Sequence, residues 1–222
     1  MKTFNRKLKQ HWIDVMQAHQ DADRLIQGEW FDNEDGTGCF FGCAMQTGHD
    51  ALEKAIDEMQ LPAWLVYLAE KIFETLPKAD ALVFPVQLIK AVPTSADISE
   101  VKYAIAVKRL EPLIEDSNGD NVNSAIQQVI DYHENSDRTE EDRQAAYSAA
   151  DSATRSAAVF SAARLAAYSA AYSAADLAPR SAAAFSAAYS APPAVRLAAS
   201  SAAEAEAWQR ERDNLINALK EL

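Results

Sequence analysis

Over much of the chain, apolar and polar residues recur with the period of amphipathic helices. Leu8, Trp12, Val15, Met16, Ala22, Leu25 and Ile26 fall at helical spacing, which predicts a first helix over residues 5–27 stopped by Gly28. Helical patterning resumes at residue 50, where Pro62, Pro77, Pro85 and Pro93 divide it into short pieces. Pro62 suits a first turn, and behind it Trp64, Leu65, Leu68, Ile72 and Phe73 form an apolar stripe. Further helices are predicted over 79–91, 97–114 and 121–135, with a turn at 117–121. Residues 28–48 contain five of the six glycines, and aromatic pairs there flank an Asp-Gly turn. That pattern predicts the only β-structure, a short hairpin near 29–45 that pairs 29–31 with 39–41.

From Thr139 onward the pattern becomes a repeat. Residues 147–163 match 172–188 at 14 of 17 positions, differing only at Ser152, Thr154 and Val159 against Leu177, Pro179 and Ala184. The 25-residue offset is close to seven turns at about 3.6 residues per turn, so Tyr147, Phe160, Tyr172 and Phe185 become equivalent anchors on one face. The glycine-free stretch is built on alanine, the best helix former, which favours helix over low-complexity disorder. Pro179 and Pro192-Pro193 divide it into predicted helices over 140–176, 179–190 and 194–220, the last able to dock through Trp208, Leu215, Ile216 and Leu219. The fold class is therefore mainly α. An acidic helical domain over 1–138 carries the hairpin, and an Ala/Ser-rich helical repeat domain follows over 139–222.

Charge narrows the range of partners. The chain of 222 residues carries a formal −12; residues 139–222 hold 8 Lys+Arg against 10 Asp+Glu, or −2, leaving −10 for 1–138. Such a surface repels phosphate backbones, so no direct nucleic-acid binding is expected. No charge-free apolar run reaches membrane-spanning length, and the basic start lacks an apolar signal core. Two cysteines four residues apart do not make a secreted disulfide framework, so a reducing cytoplasm is the expected compartment.

Several residues invite chemical readings. In Gly38-Cys39-Phe40-Phe41-Gly42-Cys43 the two sulfurs are read first as buried structural thiols on a glycine-rich turn. Cys39 could instead be a nucleophile with His19 or His49 as base, or Cys39, Cys43 and His49 could ligate a soft metal. His19, Asp23 and Arg24 fall within about a turn and a half of one helix, where Asp23 could orient the imidazole or simply join a surface ion cluster. Asp32 and Asp116 begin calcium-like runs, but the twelfth positions, Cys43 and Gln127, lack the required carboxylate. No P-loop, dinucleotide fingerprint or HExxH motif occurs, and no cofactor is expected.

Residues 19–50, with the segments at 61–77 and 84–93, resemble a family of proteins encoded by phages, prophages and some bacteria, marked by this GCxxGC-type turn and an alanine-rich helical tail. The tail is also similar in composition to alanine-rich immunity-like proteins of bacterial toxin systems. The family resemblance covers most of the chain and implies a phage or mobile-element accessory gene acting in a bacterial host's cytoplasm, with no particular activity. On that basis the expected function is non-enzymatic: binding and inhibiting a host protein, such as a defence factor. The expected binding residues are Tyr147, Tyr168, Tyr172, Tyr189, Arg155 and Arg180, because Tyr and Arg carry interface energy, together with Arg24 and Trp30 for a small ligand. Two alternatives remain open: a cysteine-dependent enzyme or metal-binding protein built on the Cys39/Cys43 turn, and a sponge for a nucleotide-like ligand held by Arg24, Trp30 and backbone amides. Exposed alanine faces make a homodimer a further possibility.

Overall fold

The structure is a computed structural model, describing residues 4–94, 96–114, 120–156 and 201–222. These residues are mainly helical: α1 (Arg6–Asp21), α2 (Phe40–Met45), α3 (Ala51–Met59), α4 (Ala63–Thr75), α5 (Lys78–Ala91), α6 (Val101–Leu110), α7 (Asp120–Glu134), α8 (Glu140–Ser156) and α9 (Ser201–Lys220), with a 3-10 turn at Glu111–Leu113. Two compact units emerge, one of Met1–Lys102 with Ser201–Leu222 and one from Tyr103 to Ser200. The boundary expected after residue 138 falls inside the second.

In the first unit, Asn5 starts α1 by accepting the Leu8 amide at 3.0 Å, satisfying one of the amides a helix start leaves open. Trp12, Met16 and His19 form the buried face of α1. The helix stops at Asp21, before the predicted Gln27, because Asp23 turns left-handed at φ 54° and the Arg24 amide closes back on the His19 carbonyl at 3.0 Å. Pro62 is the N-cap of α4, whose Leu65, Val66, Ala69, Ile72 and Phe73 are buried. Helix α5 carries Pro85 in its interior and still buries Phe84, Leu88 and Ile89. Helix α9 packs on α4 and α5, burying Leu215, Ile216, Ala218 and Leu219.

The predicted hairpin is corrected by the structure. No strand occurs among the described residues, and the only β contact there is an isolated parallel bridge between Leu25 and Gly38. Segment 29–31 does run beside 38–42, with the Cys39 amide donating to the Glu29 carbonyl at 2.8 Å. Phe40 and Phe41, however, open helix α2 instead of pairing as a strand. Burying both rings explains why. Alternation would put one on each face of a strand, whereas the helix leaves both with 0% exposure and stacked 4.0 Å apart, Phe40 also meeting Phe73 and Phe84.

The second unit centres on α7 against α8. Leu110, Val122, Ile126, Val129, Ala146 and Ala150 form its buried cluster, and Tyr147 is half-buried against it. The repeat's second copy, with Tyr172, Arg180 and Phe185, lies outside the described residues, as do Phe160, Tyr168, Tyr189 and the side chain of Arg155.

Candidate functional site

Helix α2 and the loop before it hold the chemistry of the first unit. Cys39 is the N-cap of α2, in extended conformation, and its sulfur accepts the Gly42 amide at 3.4 Å. Cys43, one turn later, directs its thiol at the carbonyls of Arg24 and Gly38, both at 3.4 Å. Both sulfurs are buried and free of disulfide. Burial pushes the Cys43 thiol up to about 11, against the pull of Arg24. Burial raises Cys39 further still, helped by the negative charge of Glu70. Neither thiol is therefore primed as a thiolate nucleophile at neutral pH.

No local motif marks the residues that face Cys39. Glu70 and Glu74, one turn apart on α4, bring their carboxylates to it, and the three donor atoms all lie within 4.8 Å of one another. Glu74 Oε2 accepts the Gly28 amide at 2.5 Å. Glu70 Oε2 is buried and finds no hydrogen-bond partner among the described residues. Burial, with the negative charge of Glu74, pushes the Glu70 carboxyl up to about 7, against hydrogen bonds from the Cys39 thiol and the Phe41 amide. Burial likewise raises Glu74. The pair gave one usable signal in the sequence, two acids at i and i+4 interleaved with buried Ala69 and Phe73.

The other candidates separate. His49 is exposed and meets Trp30 edge-on at 6.1 Å, so the donor group around Cys39 contains neither His49 nor Cys43. His19 is buried, and its imidazole lies against the Cys43 carbonyl. Desolvation, followed by the positive charge of Arg24, lowers its pKa. Asp23 has left the helix at φ 54°, so the alignment with His19 that a continuous helix would give is lost. Arg24 is exposed, with its guanidinium lying over Gly36.

Trp30 is 43% exposed and Ile26 36%, on a loop braced by backbone hydrogen bonds on either side of Trp30. Ile26 donates to Gly38, Gly38 to Arg24, Asp32 to Thr37 and Gly36 to Asp32, all between 2.8 and 3.0 Å. The aromatic is thus presented from a loop tied down at its neighbours. No known protein family, curated protein or solved structure matches the chain. Among the described residues, no helix is long and apolar enough to cross a membrane.

Proposed function

We propose that this protein is a non-enzymatic accessory protein of a phage or mobile element that binds a host protein and blocks it. The observation that carries this reading is Trp30, a large aromatic left exposed on a loop braced by backbone hydrogen bonds on either side of it. An anchor of this kind gives contact area with little entropy lost on binding, which is how interface hot spots work. His49 extends the surface, and the chain's charge of −12 favours a basic face on the partner. The cysteine-nucleophile alternative is disfavoured by two thiols that burial keeps protonated.

The test is affinity capture from bacterial host lysate with the intact protein and with Trp30→Ala, followed by assay of any captured protein's own activity. The reading expects one stoichiometric host protein that is lost with Trp30→Ala and whose activity falls when the intact protein is added. A partner retained by Trp30→Ala, or one whose activity is unchanged, would overturn it.

A further inference from the structure

We infer that Cys39, Glu70 and Glu74 form a site for one divalent transition-metal ion of the zinc type, independent of the Trp30 surface. A thiol and two carboxylates converge within 4.8 Å, from the N-cap of α2 and from α4. Zinc–ligand bonds of about 2.0–2.3 Å need the donors somewhat closer, a contraction that the flexible glutamate side chains can supply. Neither glutamate forms an ion pair among the described residues; the Cys39 thiol and the Phe41 amide face the Glu70 carboxyl group, while its buried Oε2 makes no hydrogen bond of its own. A cation bound between them would satisfy that oxygen and offset the crowding of two acids beside a thiol.

The donor chemistry selects the ion. Thiolate sulfur favours zinc or cobalt over magnesium or calcium, which prefer all-oxygen shells. Three protein ligands leave a fourth position for water. Around them, the Gly28 amide orients Glu74 at 2.5 Å and the Gly42 amide orients the Cys39 sulfur at 3.4 Å, the outer-shell contacts expected of metal ligands. On binding, a metal–sulfur bond forms and the Cys39 thiol proton passes to solvent. No electron transfer is involved.

The probe is cobalt(II) added to chelator-treated, full-length protein, with zinc competition to obtain the affinity. One equivalent should produce a thiolate-to-cobalt charge-transfer band in the near ultraviolet that zinc abolishes, with release of a proton. Cys39→Ser should lose the band, and Glu70→Gln, nearly isosteric, should weaken zinc binding about tenfold or more while circular dichroism stays native. Cys43→Ser should retain the band. Absence of stoichiometric binding, a band that survives Cys39→Ser, or full affinity in folded Glu70→Gln would overturn the assignment.

Discussion

Gly38 and Phe31 touch backbone to backbone. A Cβ on Gly38 would lie 2.7 Å from the Phe31 Cα and 3.0 Å from its amide nitrogen, so the close passage of 29–31 beside α2 depends on the missing side chain. Gly38→Ala must push the two segments apart and should cost about 1–3 kcal/mol in a denaturant melt. Gly48, with nothing within 4 Å of its Cβ position and no left-handed φ, is the matched control. Gly48→Ala should be neutral or stabilise by up to about 1 kcal/mol, and equal losses at both positions would remove close approach as the explanation.

The C-terminal helix is tied to α5 through Asp80. Its carboxylate accepts from Gln209 Nε2 and from Arg212, both at 2.7 Å, while Leu215 is fully buried one turn further on. Leu215→Ala should cost about 2–5 kcal/mol, because a buried leucine leaves a cavity. Asp80→Asn should cost about 1 kcal/mol, less at high salt because the pair is partly exposed. Melts of both variants at low and high salt check the ranking, which reverses if the helix is held by charge rather than by packing.

Helix periodicity was legible wherever one face had to be buried, as with Trp12 and Met16 on α1 or Leu65, Ile72 and Phe73 on α4. Helix α2 was not, because six residues span under two turns and show no period, while the surrounding glycines read as a hairpin. Cys39 as an N-cap, with Phe40 and Phe41 both buried, decides the matter only once Phe73 and Phe84 are in place. The same limit hid the carboxylates. Cys39 was singled out from its local motif, but its partners Glu70 and Glu74 lie more than thirty residues away, and an i,i+4 acid pair ordinarily marks a solvated helix face.

In the second unit, His133 should make stability fall in acid. It is 2% exposed, and burial, with the positive charges of Arg138 and Arg109 alongside, lowers its pKa from 6.5 to about 4. A pKa depressed by folding means that the unfolded chain takes up the proton first, so stability present above pH 6.5 is lost as the pH falls toward 4. The loss should be on the order of a few kcal/mol. His133→Gln should flatten that part of the profile, as measured by urea melts at pH 7 and pH 5. Unchanged pH dependence in the variant would assign the acid sensitivity to other groups.

Cys39 and Cys43 should resist alkylation in the native, metal-free protein. Burial raises both thiols, Cys43 to about 11, and the Cys43 proton is engaged by the carbonyls of Arg24 and Gly38. The thiolate is the reacting species, so iodoacetamide at pH 8 should modify either sulfur roughly a hundredfold or more slowly than a free thiol. Denaturant should restore the ordinary rate by exposing both. Mass spectrometry of peptides from timed quenches separates the two positions. Rapid modification of Cys39 alone in the folded protein would revive the nucleophile, because only a lowered thiol pKa and an open path could produce it. Slow modification of both leaves Cys39 as a protonated N-cap, which becomes a strong ligand only when a cation displaces its proton.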